Sequence, residues 1–382
     1  MVNKLNIPTS VFATAINAIE KSIPAKSVIQ SLLNVHFSLG KNHLTLTASD
    51  IVTMSSATIE FDVPFEFEPF DVLVDADKMV KFILSLNTDN VSVETDLENN
   101  KIVLRSSGRR TTLNTASTDE YIEMVFDEPE KRVDIDPGFF AEAVKKVSNY
   151  HLPANNPMLT ISRGIELLVG ADGFRASATD TFVGATYQFG DVQLSENQVV
   201  VMGDQLLDVS KALIGCDELH IGITDETDTK LFFYGYQGSV KIKTAIQVLS
   251  QRETFAKIYD YIKSIMAKSL IRVNISKSEM LNAIKPLDAY EDAHVLILVS
   301  KDNVKLIIED SQIGEYSAEI ICETENFTDD IAIKLDKKFM KRAFTNLSEE
   351  VSFYTNNDIP MVIFTPHDDD GSYYQGIGKI AF

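Results

Sequence analysis

The sequence predicts an α+β fold built from three tandem copies of one module, each a pair of helices on an antiparallel sheet. Three observations predict it. A one-sided apolar helix recurs three times, a strand running into a capped helix recurs three times, and a strand-closing aspartate recurs at one constant interval. A repeat is sought before local structure because it organises every later assignment.

The first helix of each module comes from Ile7-Pro-Thr-Ser-Val-Phe-Ala-Thr-Ala-Ile-Asn-Ala-Ile19, Ile135-Asp-Pro-Gly-Phe-Phe-Ala-Glu-Ala-Val-Lys-Lys-Val147 and Ile275-Ser-Lys-Ser-Glu-Met-Leu-Asn-Ala-Ile-Lys-Pro-Leu287. Without gaps, apolar residues coincide at Ile7/Ile135/Ile275, Phe12/Phe140/Met280, Ile16/Val144/Ile284 and Ile19/Val147/Leu287, and Ala15, Ala143 and Ala283 also coincide. Spacings of four and then three lay the last three positions on one side of a helix. Ser, Thr, Asp and Pro gather just before, as they do at helix starts.

Alternating strands follow. They close on Thr-Ala-Ser-Asp50, Ser-Ala-Thr-Asp180 and Leu-Ile-Ile-Glu-Asp310, aspartates that are 130 residues apart each time. A further alternating stretch then runs to Ile59, Phe189 and Ile320. The second helix grows from a short apolar strand at Val72–Val80, Val199–Leu207 and Ala332–Met340. A strand pair ends each unit and includes Thr111–Thr115, Val240–Thr244 and Tyr373–Ile380. Polar joins at Asp127–Arg132 and Ser250–Thr254 divide the chain into modules 1–129, 130–255 and 256–382. Two helices on an antiparallel sheet bury one face of each, a stable two-layer solution.

Composition sets the class. Hydrophobic residues at 45% and charged residues at 24% are those of a globular protein. No apolar run approaches the ~20 residues that span a bilayer, so no membrane association is expected. Met1-Val-Asn-Lys-Leu-Asn-Ile-Pro8 lacks the basic-then-apolar pattern of a signal peptide. Cys216 and Cys322 stand in no paired motif, and the expected compartment is the reducing cytoplasm.

No enzyme motif is present. The sequence has no phosphate-binding P-loop, no Gly-x-Gly-x-x-Gly after a strand and no Gly-x-Ser-x-Gly elbow. The histidines are scattered. His367-Asp-Asp-Asp-Gly-Ser372 and Asp225-Glu-Thr-Asp228 are the acidic segments a cation could use, but Ca²⁺ takes about six to eight arranged oxygens. Solvated turns account for both more simply. Asp50, Asp180 and Asp310 belong to different modules, so turn hydrogen bonding accounts for them better than catalysis does. Neither a catalytic residue, a metal nor a cofactor is expected.

The net charge of -21 speaks against nucleic acid, but binding depends on how charge is distributed. The predicted helices carry Lys21, Lys78, Lys81, Lys145, Lys146, Lys211, Lys277, Lys285, Lys337, Lys338, Lys341 and Arg342 against eight acids, a surplus of four bases. The remainder of the chain carries -25. Either these are ordinary solvated helix faces, or the helices share a side that faces a polyanion.

The collinear segments carry a resemblance. Asn34-Val-His-Phe-Ser-Leu39 with Leu44–Asp50, Arg105-Ser-Ser-Gly-Arg-Arg-Thr-Thr-Leu-Asn-Thr115, Pro157-Met-Leu-Thr160, Ala178-Thr-Asp180 and Asp358-Ile-Pro-Met-Val-Ile-Phe364 resemble the bacterial sliding clamp family, the beta subunit of DNA polymerase III. The resemblance covers nearly the whole chain. It implies the DNA clamp fold and a head-to-tail homodimer closed into a ring, since a heterologous contact that closes makes a ring. It also implies double-stranded DNA held without sequence reading, and a polymerase and a clamp loader that dock short peptides between modules II and III.

Position by position, the resemblance implies a peptide pocket of Leu159, Thr179, Thr181, Phe182 and Val183 with Ala256, Asp260, Tyr261, Ile359, Pro360, Met361, Gly378 and Ile380. It adds Lys26 to the DNA-facing cations, and Leu113 and Tyr290 to the dimer contact. The departures are specific. Thr181-Phe-Val-Gly184 stands where the family usually has Gly-His-Arg-Leu, and Thr254-Phe-Ala-Lys-Ile258 where it has Arg-Phe-Pro-Asp-Tyr. The basic residue usual before the fourth helix is replaced around Gly203-Asp204. These point to a divergent clamp with an altered peptide preference, with a chromosomal and a phage or plasmid replicon both open. The alternative is an adaptor or decoy of the same fold that binds replication proteins without encircling DNA.

Overall fold

A computed structural model describes residues 3–63, 69–122, 129, 132–153, 160–170, 172–191, 198–224, 229–249, 258–268, 270–290, 294–310, 314–368 and 371–380. Seven α-helices occur among them: α1 Thr9–Glu20, α2 Ala76–Leu84, α3 Pro137–Ser148, α4 Gly203–Leu213, α5 Ile258–Met266, α6 Lys277–Ile284 and α7 Lys337–Thr345. Six are the predicted ones. α5 is additional and follows the second predicted join. No helix among the described residues is long and apolar enough to cross a membrane.

The chain divides into two compact units, Met1–Glu142 with Asp204–Val248, and Ala143–Gly203 with Leu249–Phe382. The first holds a twelve-stranded antiparallel sheet. Thr53–Glu60 pairs there with Val240–Gln247, in the register Ile59 to Val240 and Thr53 to Ile246. A buried relay of hydroxyls supports this pairing, Ser22 to Ser55 at 2.8 Å and Ser55 to Thr244 at 3.0 Å. A buried hydroxyl needs a partner, and each of these satisfies the next.

The second unit holds a nine-stranded and a four-stranded sheet. Its central pairing sets Val183–Asp191 against Tyr373–Gly378, with Val183 opposite Ile377 and Tyr187 opposite Tyr373. In each unit, strands from either side of a predicted module join thus lie in one sheet.

The apolar stripe explains the first helices. Phe12, Ile16 and Ile19 of α1, Phe140, Val144 and Val147 of α3, and Met280, Ile284 and Leu287 are all buried, and so are the three alanines. The third copy breaks its helix at Ile284 and continues as a 3₁₀ turn, Lys285–Ala289. Pro286 lacks the N–H that would extend α6.

Two of the second helices, α2 and α7, begin on aspartate caps. Asp75 Oδ1 accepts from the Lys78 N–H at 2.9 Å and Asp336 Oδ1 from the Lys338 N–H at 2.7 Å. Such caps satisfy helix N–H groups that have no intrahelical partner.

Strand-end aspartates make turns. Asp50 Oδ1 accepts from Val52 and Thr53 N–H at 3.0 and 2.6 Å, and Asp180 Oδ1 from Phe182 and Val183 N–H at 3.0 and 2.9 Å. The residue after each aspartate has positive φ, 79° at Ile51 and 83° at Thr181. The segment after Asp310, like Asp225–Asp228, lies outside the described residues.

Candidate functional site

The site is built on the Asp180 turn, α5 and the strand Met361–Pro366 of the second unit. α5 docks through Ile258, Ile262 and Ile265, spaced four and three apart, into a core with Ile359, Ile363 and Tyr374. Its other faces are held by rings and charges. The buried Arg175 guanidinium lies 4.3 Å from the centre of the Tyr259 ring, and Lys263 Nζ donates to Tyr374 Oη at 2.9 Å.

Between these elements opens a cavity of about 700 Å³. Thr179, Thr181, Phe182 and Val183 form one wall, and Asp260, Tyr261 and Ile262 of α5 form the other, with Met361 beside them. The wall is tightly packed at Gly184. A Cβ at Gly184 would lie 3.2 Å from the Ala178 carbonyl oxygen and 3.4 Å from Ile258 Cγ2.

A second cavity of about 490 Å³ shares Thr181 and Phe182 with the first, and is lined also by His294, Phe339, Gly378, Lys379 and Ile380. Phe182 is therefore the ridge between the two. Its side chain is 65% exposed and its ring stacks on Phe339, centroids 6.3 Å apart. An exposed aromatic beside two apolar hollows is an unusual use of surface.

The electrostatics are local. Arg342 Nη1 donates to Asp180 Oδ2 at 3.0 Å, and its guanidinium lies 5.2 Å from the Tyr150 ring centre. Behind α5, burial pushes the Glu166 carboxyl up to about 7, against the opposing pull of the Gln198 amide and the Arg175 charge. The Lys379 ammonium donates to the Asn356 carbonyl, and burial brings it down to about 8.

Of the residues expected in a pocket, Thr179, Thr181, Phe182, Val183, Asp260, Tyr261 and Met361 line the first cavity. Gly378 and Ile380 line the second. Ile359 is a core residue, 2% exposed, and supports α5 from beneath. Pro360 is exposed and lines neither. Leu159 and Ala256 lie outside the described residues. Of the α5 lining, the sequence reading missed Ile258, Ile262 and Ser264 because it read no helix after the join. The 258, 262, 265 apolar spacing was the signal for one.

The cations expected to face DNA divide by environment. Lys21, Lys26, Lys145, Lys285 and Lys338 are exposed. Lys78, Lys81, Lys211 and Lys341 are exposed too and pair with Asp75, Asp77, Asp208 and Asp288 at 2.7–3.4 Å. Pairs in water are worth about 0–1 kcal/mol and exchange readily for a phosphate. Lys146 Nζ sits about 5 Å from the ring centres of Tyr187 and Tyr373. Lys277 Nζ donates to the Thr345 and Leu347 carbonyls, and Arg342 holds Asp180.

Lys337 is corrected. It is 8% exposed and its ammonium donates to the carbonyls of Leu287, at 2.9 Å, and Tyr290. It directly follows the capping Asp336, the position that buried Ala76 takes after Asp75, and that position points inward. Leu113 and Tyr290, expected at a dimer contact, are 1% and 9% exposed in the single chain. Their side chains have almost no surface left to bury on association.

Residues 3–125 match the family described as the DNA polymerase III beta subunit, N-terminal domain. Among solved structures the chain is similar to a putative DNA polymerase III beta subunit from Eubacterium rectale, 19% identical, covering 99% of this chain and 100% of that one with a TM-score of 0.82. It is likewise similar to the DNA polymerase III subunit beta from Pseudomonas aeruginosa, 15% identical with a TM-score of 0.83. The DNA polymerase III beta subunit from Thermotoga maritima is 17% identical with a TM-score of 0.82, and in both cases 100% of each chain is covered. At these identities the structures share a fold with this chain along its whole length.

Proposed function

We infer that this chain is a divergent member of the DNA polymerase III beta-subunit family and that it is a sliding clamp. It encircles duplex DNA as a head-to-tail homodimer and tethers a polymerase for processive synthesis. The observation that carries this reading is the likeness in fold to DNA polymerase III beta subunits over the full length of the chain. Modules 1–129, 130–255 and 256–382 are the repeating units. The role is mechanical rather than enzymatic. Exposed lysines on the helices touch phosphates exchangeably, so the ring holds the duplex without reading its sequence.

Polymerase and clamp loader dock short peptides into the paired cavities on either side of Phe182. An apolar cleft of several hundred Å³ with a few polar groups suits such anchors. The test is loading onto a nicked circular plasmid by a clamp loader, then cutting the plasmid. Retention on the circle and loss from the linear form are expected. Retention after linearisation, or no loader-dependent retention with a monomeric mass at micromolar concentration, overturns the reading.

A second reading, an adaptor that binds the same replication proteins without encircling DNA, is favoured by the charge of -21. It predicts peptide binding with no topological retention.

A further inference from the structure

The cleft around Phe182 carries a sign. The described lining of the larger cavity includes one charged residue, Asp260, and no Lys, Arg or His. Asp260 sits half-buried in the first turn of α5 and makes no ion pair or side-chain hydrogen bond among the described residues. The neighbouring cations are turned elsewhere. Lys263 Nζ donates to Tyr374 Oη, and the Arg175 guanidinium covers the Tyr259 ring beside the buried Glu166. In the smaller cavity Asp336 caps α7 and Lys379 donates to the Asn356 carbonyl. The carboxylate left to meet a ligand is that of Asp260.

We propose that the peptide this cleft takes is cationic, with an aromatic or aliphatic anchor packed against Phe182 and a neighbouring Lys or Arg paired with Asp260. The inference rests on the reading of the cleft as a peptide site and adds its charge preference. Charge complementarity argues for it at two ranges. At contact, a cation against a half-desolvated carboxylate is favoured, whereas an acidic peptide meets like charge. At distance, a chain of net charge -21 steers cations toward it and repels anions. The exposed Phe182 face adds a surface on which a guanidinium can stack.

The experiment selects random heptapeptides displayed on phage against the full chain and against Phe182→Ala, Asp260→Asn, Asp260→Glu and Asp260→Lys variants. The wild-type pool is expected to join Phe or Leu to Lys or Arg, and its clones to bind Asp260→Asn about fivefold more weakly. Asp260→Glu keeps the bias and Asp260→Lys reverses it to acidic peptides. A Phe182-dependent pool with no cationic excess, or with an excess that survives Asp260→Lys, overturns the charge preference and leaves the cleft standing. A pool indifferent to Phe182→Ala, or no enrichment at all, overturns the cleft itself.

Discussion

Arg342 of α7 donates to Asp180 Oδ2 at 3.0 Å, and through Asp180 Oδ1 the same carboxylate holds the N–H groups of Phe182 and Val183. One buried carboxylate thus fixes the ridge of the cleft from two directions, at 9% side-chain exposure. Asp180→Ala is expected to cost about 2–3 kcal/mol, because it strands an arginine and two backbone donors. Arg342→Met should cost about 1–2 kcal/mol. Urea denaturation of both singles and the double tests the link. A coupling near zero would mean that turn and helix are held independently.

Thr181 and Ile51 hold positive φ where side chains crowd the backbone. The left-handed region costs an L-residue roughly 1–2 kcal/mol, and a β-branched one is the worst placed. Ile51 is 45% exposed, so truncating it forfeits little burial. Ile51→Gly and Thr181→Gly should each raise stability by about 0.5–1 kcal/mol after the added freedom of the unfolded glycine is counted. A fall in melting temperature in both would refute the strain.

Glu166 supplies a pH signature. Its folded-state value near 7 stands above the ordinary 4.5 because burial disfavours the charge. Between these values the folded chain binds more protons than the unfolded one, so stability falls as pH rises from about 4.5 to about 7. The span is on the order of 3 kcal/mol. Glu166→Gln should flatten the fall over that window. An unchanged slope would assign it to other groups.

Lys337 separates structure from DNA contact. Lys337→Met leaves two carbonyls without their donor and should cost about 1–3 kcal/mol, with the salt dependence of DNA retention unchanged. Lys145→Ala and Lys285→Ala, both exposed, should do the reverse. Each lost phosphate contact lowers the slope of log affinity against log salt by about 0.9. Equal effects from the buried and the exposed lysines would remove the proposed phosphate contacts.

Most of the architecture was legible because it depends on local periodicity. A stripe of Phe12, Ile16 and Ile19 must bury one side of a helix whatever surrounds it, and Asp180 ahead of two free N–H groups makes a turn from short-range geometry alone. α5 escaped notice because the segment before it is charged, although Ile258, Ile262 and Ile265 carried its stripe. Lys337 misled for a different reason. Its charge says surface, and only the position after the cap says inside.

The sequence by itself determined the repeat, the helix faces, the aspartate turns and the chain's likeness to the beta-subunit family, since each is written in residues close together or in one constant interval. Only the tertiary structure decided which lysines keep their charge in water, that Leu113 and Tyr290 are already buried, and that Phe182 stands between two cavities. Those depend on what packs above a residue from far along the chain, as Leu287 and Tyr290 do on Lys337 and Phe339 does on Phe182. Periodicity specifies which side of an element is buried but not what covers it.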